Sequence, residues 1–375
     1  MSALRCSKHG TLTGKEKAAF AARLGQQGLA VDVFDLFGEW AARSTDRIEF
    51  FYLKVHANSA LVGLGLLLRI RPFDLRTSYS RLRRRPTWSK LAGAVSALAD
   101  NCLYVAFRNL ITANLTRPFF CTTADLEDGV MEAILRWLRD RDDADMVSIV
   151  DTTVHEDVYR RVGFSRFPTS SEAFFDVGRY DDISQYLAGH RSLKRNLARR
   201  KNRVRTEIAR GPVSANDREQ IRACVACSAG LSKVNNPCQA FFEEHIFDTE
   251  VFNAERYTHI RVRVDDHIAG FHIFQTCGTH LGGVLGGFDR AYTRNNFVYE
   301  RVIVASLQHA LEQGLAQVHY SLVDNHTKRR LVPGREPCAV YSFARSPMNR
   351  KIFEATYEHS DMYDLFLLEA DKPSG

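Results

Sequence analysis

THLGGVLGGFDRAYTRNNFVYERVIVASL, from Thr279 to Leu307, is the stretch whose reading decides the fold. Its first ten residues predict a strand that carries two glycine pairs, Gly282-Gly283 and Gly286-Gly287. A loop follows, then a long helix from about Asn295-Asn296. Glycine pairs weaken a strand and mark a bulge or a place where a ligand lies against the backbone. A helix N-terminus just beyond them offers N–H groups suited to a pyrophosphate. A twisted strand with permissive glycines, followed by an Asn-capped helix, fits the same residues.

Upstream of this block, YTHIRVRV (257–264) alternates with period two, turns at Asp265-Asp266-His267, and returns as IAGFHIFQ (268–275). That pattern predicts a hairpin. The first half has a counterpart: FFYLKV, a polar turn at HANS, then ALVGLGLLLRI. In both halves the returning strand opens with an aliphatic, a small residue and glycine: Leu61-Val62-Gly63 and Ile268-Ala269-Gly270. Downstream, 126–151 and 296–324 each read as amphipathic helix, polar break and strand. This is the pattern of a divergent duplication, or of two similar common αβ units.

Between the halves, SEAFFDVG (171–178) predicts a strand. HRSLKRNLARRKNRVR (190–205) then opens the most basic segment, with nine Lys/Arg and one acid, Glu207, between Arg191 and Arg210. Leu193, Leu197, Val204 and Ile208 are spaced to form the seam of one continuous helix, which Gly211-Pro212 ends. Further helices are expected from about Asn216 to Gly230 and from Gln239 to Phe247, and a last strand pair over 338–345 and 362–370. Tight hairpins make the sheets antiparallel-rich, so the class is α/β (α+β). The division expected is 1–170 and 171–375.

The 375 residues suffice for two ordinary domains, and 45% hydrophobic with 25% charged residues is a globular composition. A net charge of +7 favours an anionic partner without naming it. The N-terminus lacks a signal-peptide core, and no apolar run approaches transmembrane length. Eight scattered cysteines predict thiols in a reducing compartment, the cytoplasm. Cys224-x-x-Cys227 has no second pair at zinc spacing, so no metal is expected. A G-x-S-x-G elbow is also missing. RLRRRP (81–86) adds a second basic cluster, but no helix-turn-helix, zinc-finger or RNP pattern accompanies it.

Taken together, RSLKRNLARRKNRV, IAGFHIFQ, GGFDRAYTRNNFVYERVIVASLQHALEQGL and DNHTKRRLVPG resemble the GNAT-fold acyltransferases of the BioF2-like and FemAB-like branch. Resemblance covers roughly 170 to 345; the first half is similar in element order. It implies tandem GNAT-like domains, each a mixed, mostly antiparallel sheet flanked by helices. It also implies an N-acyltransferase in which an amine attacks the acyl donor directly. Donor contacts would come from Gly286, Gly287, Arg294, Asn295, Asn296 and Phe297, and acceptor contacts from His272, Asp289 and Glu300. Lys328 matches the family's Lys and would meet phosphate or the developing oxyanion, unless it is a surface residue of a basic loop. Asp324, His326 and Tyr341 are candidate relay groups. The chain lacks the Q/R-x-x-G-x-G/A motif of simpler acetyltransferases, which leaves the donor open between acyl-CoA and an aminoacyl-tRNA. The acceptor would be a small-molecule or peptide-like amine. A non-catalytic nucleic-acid-binding protein is the reading from another class.

Overall fold

Period-two patterning becomes two sheets in the computed structural model, which describes residues 4–71, 102–107, 118–168, 171–199, 202–230, 245–320 and 326–351. The strands are β1 (Arg5–His9), β2 (Ile48–Ala57), β3 (Ala60–Ile70), β4 (Leu103–Phe107), β5 (Phe119–Cys121), β6 (Met146–Thr152) and β7 (Ser165–Pro168). They continue as β8 (Glu172–Asp176), β9 (Val204–Arg210), β10 (Tyr257–Val264), β11 (His267–Cys277), β12 (His280–Phe288), β13 (Gln317–His319), β14 (Gly334–Glu336) and β15 (Cys338–Ala344). The first sheet has the order β1-β2-β3-β4-β6-β15-β7, with β5 also on β3. The second has the order β14-β8-β13-β12-β11-β10-β9.

The two hairpins seen in the sequence are alike in detail. Asn58-Ser59 and Asp265-Asp266 all have positive φ, the signature of the tight turn that matches strand twist. Each hairpin has a bulge two pairs from its turn, after which Val55 faces Gly63 and Val262 faces Gly270. A Cβ on Gly63 would run into Val130, and one on Gly270 into Val298. Each glycine therefore seats a valine of the helix that crosses its sheet.

Those helices, Glu127–Asp140 and Val298–Glu312, bridge the two parallel pairs, β4 with β6 and β12 with β13. Parallel neighbours need such a crossover. Every other strand pairing among the described residues is antiparallel. One core lies under each crossover helix, and a third joins the halves, with Phe20, Phe34 and Trp40 packed among residues of both sheets. Among the described residues no helix is long and apolar enough to cross a membrane.

The basic segment differs from the expected continuous helix. Arg191–Ala198 is helical, but Val204–Arg210 is the edge strand β9, paired with β10 from Val204–Val264 to Arg210–Thr258. Spacings of four and seven counted across the break also suit two elements. Val204, Thr206 and Ile208 are β-branched at period two, and the open edge of β10 supplies the backbone partners that decide the outcome. The helix from Ala215 to Gly230 forms as expected, with Ile221 and Cys224 buried. The helix expected over 239–247 lies largely outside the described residues, and Ile246–Asp248 is a 3-10 turn. The strand over 362–370 and the cluster at 81–86 are also outside them.

Sheet membership follows a division at 170 only as far as Glu336. After Pro337 the chain returns to the first sheet, where β15 pairs with β6 and β7. A strand's membership is set by the edge available to it, which its own residues do not encode.

Candidate functional site

β12 and β13 pair over only three residues, ending at Gly282–His319. The next N–H, that of Tyr320, goes to the Ala173 carbonyl on β8 at 2.9 Å. Meanwhile β12 continues to Phe288 along β11. Among the described residues the parallel strands therefore part at the first glycine pair, just before the second.

Beneath this opening lies a buried polar group. Lys328, in the short helix His326–Leu331, is only 3% exposed, and its Nζ lies 5.9 Å from the Tyr320 ring centroid. The fully buried Tyr320 phenol shares a hydrogen bond with the Ser306 hydroxyl of the crossover helix. Burial pushes that phenol well above its ordinary range. His272 on β11 stacks on Phe274 at 4.4 Å and meets Tyr320 edge-on at 6.3 Å. Desolvation, reinforced by the Lys328 charge, lowers the His272 imidazole to about 3, so it is neutral at physiological pH. Opposite it, a Cβ on Gly286 would stand 3.1 Å from His272 Nδ1, so Gly286 leaves the ring its space. A buried ammonium beside neutral donors can stabilise negative charge that develops nearby.

The glycine Gly287 serves packing instead. A Cβ there would meet the Cys224 backbone at 3.0 Å and Phe271 at 2.8 Å. Cys224 itself donates to the Ile268 carbonyl at 3.2 Å, and burial raises its thiol to about 12. Among the described residues no group of three or more His, Cys, Asp or Glu could hold a metal ion.

The loop after β12 is a short helix, Arg290–Asn296, capped by Asp289, whose Oδ1 accepts from Ala291 N at 2.9 Å. The other Asp289 oxygen is 3.2 Å from His267 Nε2. Arg294 and Asn295 lie in the last turn of this helix, with Asn295 exposed. Buried Asn296 donates to the Tyr292 carbonyl at 2.9 Å. Phe297 then takes a left-handed conformation, φ 52°, between two helices, and no side chain caps the helix that follows. Glu300, in its first turn, is 3.5 Å from Arg330. His326 starts the Lys328 helix, and Asp324 lies outside the described residues.

Tyr341 is not part of this group. It belongs to β15, in the core under the first crossover helix, stacked on Tyr159 at 3.7 Å and donating to the Thr152 carbonyl at 3.4 Å. The chain's return to the first sheet carries it there.

Sequence reasoning missed Arg301. It is buried and donates to the Asn296 carbonyl at 3.1 Å and the Leu197 carbonyl at 2.8 Å. It thus ties the loop to the C-terminal end of the basic helix Arg191–Ala198, a favourable place for a cation. On that helix and just after it, Arg191, Lys194, Arg195 and Arg199 are exposed and form no ion pair among the described residues. Arg203 and Arg205, by contrast, pair with Asp265 and Asp266.

Among the described residues the first half shows no corresponding opening. Its parallel pair holds together over five residues, and its crossover helix opens with Glu127 and Asp128, an unfavourable start for phosphate. These acids lie 3.2 Å and 2.8 Å from His155.

No protein-family model matches the chain, and no curated protein does. Solved structures do. L-PGS from Bacillus licheniformis is similar with a TM-score of 0.54 at 12% identity, over 92% of this chain and 96% of that one. A tandem GNAT protein from the clavulanic acid biosynthesis pathway is similar with a TM-score of 0.50 at 12% identity, over 92% and 99%. The chain has the tandem GNAT fold. FemX is similar as well, with a TM-score of 0.52 at 9% identity over 93% and 99%. In this tandem GNAT fold, the parting of the parallel strands seen among the described residues and the Lys328 group belong to the second half.

Proposed function

We propose that the protein is an N-acyltransferase that moves an acyl group from acyl-CoA to a primary amine by direct attack. The observation that carries this reading is the parting of β12 and β13, among the described residues, above the buried Lys328 and Tyr320 and the half-buried His272. An acyl donor threaded through the gap would set its pyrophosphate toward the N–H groups at Val298 to Glu300, and its carbonyl toward Lys328. The amine nitrogen attacks the carbonyl carbon and loses a proton to a base. The C–S bond breaks, and the thiol leaves with a proton. No acyl-enzyme is needed. Asp289, already engaged with Ala291 and His267, orders the loop in this scheme, and Glu300 does so through Arg330. A cytoplasmic setting suits the scattered cysteines, which have no paired framework in the sequence.

A second reading keeps the chemistry and changes the donor to an aminoacyl-tRNA, whose ester C–O bond breaks. The exposed Arg191, Lys194, Arg195 and Arg199 favour it, because surface cations without acidic partners attract a polyanion. Thermal shift with coenzyme A, acyl-CoA and aminoacyl-tRNA at two salt concentrations tests the donor. Stabilisation by acyl-CoA at both concentrations supports the first reading. Stabilisation by aminoacyl-tRNA alone, fading with salt, supports the second. No response to either, with tight binding to bulk RNA, contradicts both.

A further inference from the structure

A cavity of about 440 Å³ lies between the two halves, apart from the Lys328 group. Alternation along the strands puts it on the other face of the second sheet. Leu281 and Val318 point into the core beneath the crossover helix, whereas their neighbours His280, Gln317 and His319 line the cavity. The first half contributes an apolar wall that includes Phe20, Phe119 and Phe120. His319 is also the residue opposite Gly282 in the last pair before the strands part. The cavity therefore abuts the gap assigned to the donor.

At this junction sits a buried acid–imidazole pair. Glu172 on β8 is 0% exposed and His319 is 5% exposed. Glu172 Oε1 is 3.3 Å from His319 Nδ1, and Gln317 Oε1 is 2.9 Å from His319 Nε2. The His319 ring lies near-parallel to Phe174 at 5.7 Å and edge-on to His280 at 5.5 Å. Burying a carboxylate is costly unless it is bonded, and this one fixes the orientation of a histidine on a cavity wall. Both ring nitrogens have an oxygen within reach, so an imidazole that has gained a proton keeps both N–H groups bonded. The cationic side chains on the wall are already engaged: Arg23 with Glu127 at 3.3 Å, and Arg335 with backbone carbonyls of its own loop.

We propose that this cavity takes the acceptor, a primary amine on an apolar or aromatic body, and that His319, held by Glu172, receives the proton the nitrogen loses on attack. The proposal rests on the acyltransferase reading above. The apolar body lies against the phenylalanines, and the nitrogen takes the place of the Gln317 amide at Nε2. One N–H bond breaks as the N–C bond forms, and Nε2 holds the proton until the C–S bond breaks and the leaving sulfur takes it. Groups facing His319 are Glu172 on β8, His280 on β12 and Gln317 on its own strand, with Arg335 and Glu336 of β14 farther along the wall.

The test uses phenethylamine and its alcohol counterpart, 2-phenylethanol, in calorimetric titrations of the full chain. The amine is expected to bind about tenfold more tightly than the alcohol. Gln27→Trp, at an exposed position on the cavity rim, is expected to weaken amine binding about tenfold without disturbing the fold. His319→Gln is expected to bind the amine within about threefold of wild type. It should transfer acyl groups about a hundredfold more slowly and with a flattened pH profile. Absence of amine binding, or equal binding by the Gln27→Trp protein, overturns the site. Wild-type transfer by His319→Gln with an unchanged pH profile overturns the proton role. Amine binding with no donor consumed overturns the acyltransferase reading instead, together with the proton role, and leaves the cavity as an amine site.

Discussion

Gly282 and His319 form the last pair between β12 and β13 among the described residues, while one residue later the Tyr320 N–H continues the ladder to β8. Buried Lys328 lies on one side of the second sheet there and the Glu172–His319 pair on the other.

Replacing Lys328 by Met keeps the packing against Tyr320 and removes the charge. Turnover is expected to fall by about a hundredfold or more, the usual cost of losing one oxyanion donor. Thiol release at saturating donor and amine checks this. Turnover within a factor of about two of wild type removes Lys328 from the mechanism.

Gly270→Ala places a methyl against Val298 and Phe288. Overpacking of this kind costs about 1–3 kcal/mol, read as a lower urea midpoint. Adding Val298→Ala should recover part of that loss, and Gly63→Ala with Val130→Ala should behave alike in the first half. Independent effects within each pair would contradict the shared glycine–valine arrangement.

Desolvation is the chief cause that holds five imidazoles below their ordinary value, His9 and His309 among them, and the lowest are His272 at about 3, His259 at about 4 and His280 at about 4. The unfolded chain binds protons at these sites first, so the sign is fixed. Their contribution is complete above about pH 6.5 and is lost as pH falls toward the folded values. Urea unfolding at pH 7 and pH 5 should show lower stability at pH 5. His259→Phe should reduce the difference, and an undiminished difference would count against burial of a neutral imidazole there.

Substituting Arg191, Lys194, Arg195 and Arg199 together by Gln should leave the melting temperature nearly unchanged, because all four are exposed and have no ion-pair partner among the described residues. If the donor is acyl-CoA, turnover changes by less than about twofold. If the donor is an aminoacyl-tRNA, affinity falls, and its salt dependence flattens in proportion to the number of phosphates the helix no longer neutralises.

Much of this architecture is legible in local pattern. The hairpin turns, the echo of Gly63 and Gly270 and the crossover helix after the glycine pairs are all encoded within a few residues. What the sequence hides depends on partners far along the chain. β9 became a strand because β10 offered an edge, and Tyr341 moved to the first core because β15 pairs with β6. His319 and Glu172 meet from positions 147 residues apart. Neither QVHYSLVD nor SEAFFDVG signals the other. Lys328 was legible by resemblance alone; its burial against Tyr320 is a tertiary fact.

The most direct test of the central claim is a single-turnover reaction of the protein with acyl-labelled acyl-CoA and phenethylamine, followed by mass spectrometry of protein and products. Direct attack predicts amide and free coenzyme A thiol in equal amounts, with no label on the protein at any time. Label appearing on the protein before the amide, or no amide under conditions where acyl-CoA binds, would contradict it.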